Sequence, residues 1–169
     1  DDIDFFIIVK KNTLFISRFL ILLFLEGLGV RRSHNQKNTA NTICVNLLID
    51  ETSLLWRKDH RDFYTAREIA QVRPLFARMD MYQQFVKANT WIEQFVPNVR
   101  FTDSYKVKEQ ESMLAKVFEK LFVHALSEYF FRILQMSFIK RHQTKETATK
   151  HILAFHPNDY RVKSLQQLR

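Results

Sequence analysis

Asp2 and Asp4 open the chain with the spacing Asp-Ile-Asp, at the start of an apolar run. Side chains two apart on a strand share a face, and each residue advances the strand by about 3.3 Å. Two carboxylates so placed are within reach of a shared metal site. Magnesium takes carboxylate oxygens together with substrate phosphate. Two such cations about 3.5–4 Å apart activate an attacking oxygen and stabilise a leaving one. A third carboxylate from a neighbouring strand would complete the cage, and Asp50, which closes the next apolar run, is the candidate. An Asp-x-Asp alone is not specific, and the same spacing suits a solvated acidic strand end.

These residues need strands to position them. Residues 3–10 read as a strand with both faces apolar beyond the acidic start, the pattern of a central strand covered on both sides. Asn12 and Thr13 are N-cap candidates for a helix running to Leu25 or Glu26, and Gly27-Leu28-Gly29 supplies a left-handed stop. Residues 31–41 read as a polar loop. Thr42 to Asp50 is a second strand, β-branched and bounded by polar residues.

From residue 61 the character turns helical. Thr65 and Glu68 fit a capping box, with Pro74 bending or ending the helix. Asp80 starts another helix, which Pro97 ends. A third is expected over 108–139, with Leu114, Val117, Phe118, Leu121, Phe122, Ala125, Tyr129, Ile133 and Met136 as its apolar stripe. A short terminal helix closes the chain.

Other constellations have two readings each. Arg67 and Arg73 could clamp phosphates of a bound nucleotide bidentately, or be solvated helix-face charges. Trp91, beside Asn89 and Thr90, could stack a base, although an aromatic at helical spacing is more often core. The C-terminal third, from Arg132 to Arg169, is basic but carries no nucleic-acid reading motif. The six histidines show no metal-ligand spacing, and Cys44 reads as a small core residue.

Composition narrows the class. The chain has 169 residues, is 46% hydrophobic and holds 16 Phe, enough for a sizeable core. Two Gly and three Pro exclude collagen-like and linker-like classes, and two glycines cannot build a Rossmann loop or a P-loop. One Cys excludes an internal disulfide framework, and a reducing, cytoplasmic compartment follows as the default. The net charge of +8 favours an anionic partner without choosing one. The run from Leu14 to Val30 is interrupted by Arg18 and Glu26, too early for a membrane span.

Asp2-Ile3-Asp4-Phe5-Phe6-Ile7-Ile8 resembles the second half of the nucleotidyltransferase signature of the DNA polymerase beta superfamily. In that signature a Gly-Ser turn precedes an Asp-hydrophobic-Asp strand. Residues 46–51, 62–71, 88–98 and 155–159 extend the resemblance, to a poorly characterised bacterial group of nucleotidyltransferase-fold proteins. It implies an α/β (α+β) fold: a small mixed β-sheet with flanking helices, a partial nucleotidyltransferase core over 1–60, then a mostly helical region over 61–169. It also implies a two-metal magnesium site and transfer of a nucleoside monophosphate from a nucleoside triphosphate to an acceptor (a small molecule, a protein hydroxyl or RNA). Asp2 and Asp4 carry over as metal carboxylates by motif, and Asp50 only by analogy. The Gly-Ser turn would lie before residue 1, so this polypeptide alone is expected to be inactive or nearly so. The rival expectations are a non-catalytic, basic helical interaction module that retains the fold, and a membrane-peripheral protein using residues 14–30.

Overall fold

The apolar runs that begin at Ile3 and Ile43 pair as parallel strands, which forces a long crossover between them. The computed structural model describes residues 3–32, 40–78, 80–101, 125–142 and 147–154. In chain order the elements are β1 (Ile3–Val9), α1 (Leu14–Gly27), β2 (Ile43–Asp50), α2 (Phe63–Ala70), α3 (Met81–Ala88), α4 (Ala125–His142), β3 (Thr147–Ala148) and β4 (Ile152–Ala154). Short 3₁₀ turns cover Lys58–His60 and Thr90–Gln94. The sheet order is β1-β2-β4-β3. β4 runs antiparallel to both β2 and β3, so the sheet is mixed and the fold is α+β.

The described residues form two compact units, one of residues 3–52 with α4, β3 and β4, the other of residues 53–101. This differs from the expected division at residue 60, because α4 and the last two strands return to the first unit. Leu14 and Phe15 of α1, Leu48 of β2, Leu153 of β4 and Ile139 of α4 share one core cluster. Each such side chain contributes about 1.5–3 kcal/mol on burial. β2 is central and its last five residues are buried. β1, expected to be covered on both sides, has a strand neighbour on one side only among the described residues, and Ile3 and Asp4 are exposed.

α1 ends as its glycines require. Gly29 adopts φ 66°, its N–H donates to Glu26 O, and Val30 N–H donates to Leu25 O. This is a Schellman closure, in which a left-handed glycine lets the chain satisfy carbonyls that the helix leaves open. The start of α1 is less local. Thr13 stands at the N-cap position, yet its hydroxyl donates back to Lys10 O at 2.7 Å. Two orphan amides, Phe15 N–H and Ile16 N–H, donate instead to the two carboxylate oxygens of Glu128 on α4, at 2.9 and 3.0 Å. Gln135, 6% exposed, donates to Phe15 O at 2.6 Å and accepts from Arg18 at 2.8 Å.

The inner side of α4 therefore carries polar groups beside Met136 and Ile139, so the expected stripe holds only in part. Tyr129 and Ile133, read as core positions, are exposed. Leu114, Val117, Phe118, Leu121 and Phe122 lie outside the described residues, as does the expected terminal helix. Replacing Glu128 by Ala is expected to cost about 1–2 kcal/mol, the usual worth of an N-cap, and Glu128→Gln about half of that. Urea unfolding followed by circular dichroism measures it. An unchanged midpoint in Glu128→Ala would mean that water satisfies both amides.

In the second unit, α2 begins at Phe63, and Asp62 caps it by accepting from Thr65 N–H at 2.9 Å. The expected capping box of Thr65 and Glu68 is corrected to this earlier cap: Asp62 reaches the Thr65 amide first, and Glu68 is exposed mid-helix. α2 ends at Ala70, before Pro74. Ala66, Ile69, Phe85, Trp91 and Ile92 are the buried apolar residues here.

Candidate functional site

Residues Phe5 and Phe6 pair with Val45 and Leu47, so β2 holds one extra residue, Asn46, between them. Such a bulge is rare between parallel strands and re-aims a side chain. Here the Asn46 amide, 8% exposed, donates through Nδ2 to Asp4 Oδ1. Its Oδ1 accepts from the Cys44 thiol at 2.8 Å. Asp4 is exposed at the N-terminal end of β1 and pairs with Cys44 in the register. Asp2 lies outside the described residues. The Asp4 carboxylate suits a hard divalent cation, whereas the Asn46 nitrogen that faces it and the Cys44 thiol do not.

Asp50 does not join this group. The parallel register sets Asp50 opposite Val9, while Asp4 is opposite Cys44. Five residues of strand, on the order of 16 Å, separate the two ends. Asp50 was the expected third carboxylate because it ends the neighbouring strand, but parallel pairing carries that end away from Asp4. The residue of β2 that reaches Asp4 is Asn46. Among the described residues there is no cluster of three or more His, Cys, Asp or Glu side chains placed to hold a metal ion.

Asp50 builds a second polar constellation instead. Its side chain is 1% exposed. Oδ1 accepts from Thr52 N–H at 3.0 Å and from the Thr52 hydroxyl at 2.5 Å. Oδ2 lies 2.6 Å from His151 Nδ1. The Asp50 N–H also donates to His151 O at 3.0 Å, tying the start of β4 to the end of β2. A carboxylate oxygen accepts here, so Nδ1 carries the proton of this bond, and Nε2 is the outward nitrogen of the ring. That is how a general base or a metal-ligating histidine is oriented. The Thr52 hydroxyl lies 3.4 Å from Nδ1, on the carboxylate side of the ring, and so is not placed as a nucleophile for Nε2.

Comparison with protein-family models, curated proteins and solved structures finds no match. The candidate site therefore stands on geometry and on the sequence resemblance.

The remaining expected residues fall in the second unit. Arg67 and Arg73 are exposed, and Arg67 lies 6.0 Å from the centre of the Phe63 ring of its own helix. Trp91 is buried, its indole N–H donating to Asn89 Oδ1 at 3.0 Å. Phe95 meets it edge-on at 6.0 Å and the Arg61 guanidinium lies 5.6 Å from the ring centre, so Trp91 is a core residue. Arg57 binds Asp59 through Nε and Nη2, and this holds the Asp59 carboxyl below its ordinary pKa and raises that of Arg57. Among the described residues no helix is long and apolar enough to cross a membrane.

Asn46, Thr52 and His151 are the polar residues that sequence reasoning passed over. Asn46 had a signal. It is the one polar side chain between Ile43 and Ile49, and a polar group inside a buried strand needs a partner. His151 had none, since its partner is 101 positions away.

Proposed function

We propose that this chain belongs to a metal-dependent nucleotidyltransferase, which moves a nucleoside monophosphate from a nucleoside triphosphate to an acceptor. The observation that carries the reading is the bulge at Asn46, which turns a buried amide onto the exposed carboxylate of Asp4. It adds to the Asp-Ile-Asp resemblance a built feature at the same strand end. Asp4, with Asp2 by motif, would hold Mg2+, and Asn46 would orient Asp4. When bound, the cation would polarise the phosphoryl group and stabilise the leaving oxygen.

The test uses the full-length protein with labelled nucleoside triphosphates and a panel of small-molecule, protein and RNA acceptors. Asp4→Asn is expected to abolish label transfer and weaken Mn2+ binding without changing the unfolding midpoint. Asn46→Ala is expected to lower transfer by about 10–100-fold, the usual effect of removing a group that orients a metal ligand. Full transfer by Asp4→Asn would overturn the reading.

One observation favours the second reading, a non-catalytic module that keeps the fold. The β2 residue at Asp4 is an amide, which cannot take a proton from an acceptor hydroxyl, and the nearest carboxylate on that strand is held elsewhere. Nucleotide binding by the full-length protein with no transfer to any acceptor would select it.

A further inference from the structure

Among the described residues, nine of the thirteen exposed large hydrophobic side chains lie on α1, its C-cap and α4. On the α1 side they are Phe19, Leu23, Phe24 and Leu28, with Phe24 66% exposed. On α4 they are Tyr129, Phe130, Ile133, Leu134 and Phe138, with Phe138 65% exposed. Spacings of one, three and four residues make each set a row on one helix face. Only Ser137 interrupts the α4 row, and its hydroxyl is turned back to Ile133 O at 2.9 Å. The rows are continuous: the Phe19 ring lies 4.7 Å from Phe131, and Phe131 lies 5.6 Å from Phe130.

α4 packs Phe131, Met136 and Ile139 on the core and sets Glu128 and Gln135 toward α1, while this second apolar row faces outward. We infer that this face is the contact between two copies of the chain, packed helix on helix about a two-fold axis. Area supports this occupant. The exposed fractions of the nine side chains sum to roughly 900 Å², against about 800 Å² per partner in a standard stable interface and about 300–600 Å² for the largest apolar patch of an ordinary monomer. Charge supports it as well. Two chains of net charge +8 repel, and a two-fold contact brings identical surfaces together. The nine side chains themselves carry no charge, so identical faces can meet there, with the Arg132 guanidinium at the border, 5.4 Å from the Tyr129 ring centre. The face also has the charge-poor, aromatic-rich composition of an interface core. Two helices from each copy would complete a helix-on-helix layer, each covering the row that the other leaves open.

Sedimentation velocity of the full chain over a micromolar concentration series tests the inference. A dimer is expected. Leu134→Glu and Phe24→Glu should each weaken it at least a hundredfold, with the far-ultraviolet circular dichroism unchanged because both side chains are more than half exposed. Leu75→Glu, an exposed leucine of the other unit, should leave the dimer intact. A chain that is monomeric at every concentration overturns the inference. So does a dimer indifferent to Leu134→Glu and Phe24→Glu, or a monomer that floats with anionic vesicles through the same residues.

Discussion

Asn89→Ala is expected to unfold the second unit at a cost of about 3–5 kcal/mol, the largest loss expected from a single polar substitution among the described residues. Asn89 is fully buried. Its Oδ1 accepts from Trp56 N–H and Trp91 Nε1–H, both at 3.0 Å. Its Nδ2 donates to Leu54 O at 2.8 Å and to Phe85 O at 2.9 Å. One side chain thus ties the segment before α2 to the end of α3 and to the turn bearing Trp91. Alanine would leave two donors and two acceptors without this partner where water has little access. Each costs about 1–3 kcal/mol if nothing replaces it, and relaxation recovers part of the sum. Asn89→Asp should be no better, because it sets a carboxylate oxygen against two carbonyls. Both tryptophans of the chain, Trp56 and Trp91, lie in this unit, so tryptophan fluorescence during urea unfolding reports on it directly. A midpoint change worth less than about 1 kcal/mol would show that the four groups find other partners.

Where structure rests on near neighbours, the sequence was legible. The two strands follow from their apolar runs, though not their parallel pairing, and α1 ends at Gly29 because a left-handed residue closes it that way. The α+β class and the mixed sheet were expected from the family resemblance, and the fold has both. What was not legible is long-range. The N-terminus of α1 is capped from a residue more than 110 positions away, so Glu128 in sequence is one more charge on a helix. The stripe read for α4 counted apolar residues and assumed that they face inward. The inward positions are shared between apolar side chains, Met136 and Ile139, and the polar ones that satisfy α1, Glu128 and Gln135. β3 and β4 are two and three residues long, too short for a period to appear.

The candidate site divides in the same way. Asp4 could be read from its spacing. Asn46 stood in plain view as a polar interruption, but the bulge that aims it is a register property, and register is set by pairing. Asp50 was assigned by its place at a strand end, and strand direction decided against it.

Asp50→Ala is therefore expected to act on stability, at about 3 kcal/mol, and not on metal binding at Asp4. Both carboxylate oxygens are engaged, Oδ1 by Thr52 and Oδ2 by His151, in a position 1% exposed. Removing the carboxylate strands the Thr52 amide and frees the imidazole that holds β4 against β2. Asp50→Asn keeps an acceptor for one side only and should cost less, about 1–2 kcal/mol. His151→Gln, which can still donate toward Oδ2, should fall between wild type and Asp50→Ala. In the full-length protein, Mn2+ affinity measured beside the urea midpoint separates the two roles. Asp50 as a strand clasp predicts a lowered midpoint with unchanged affinity in Asp50→Asn. A third metal carboxylate would instead lose most of its affinity for the cation, and the carboxylate would then have to leave Thr52 and His151 to reach Asp4.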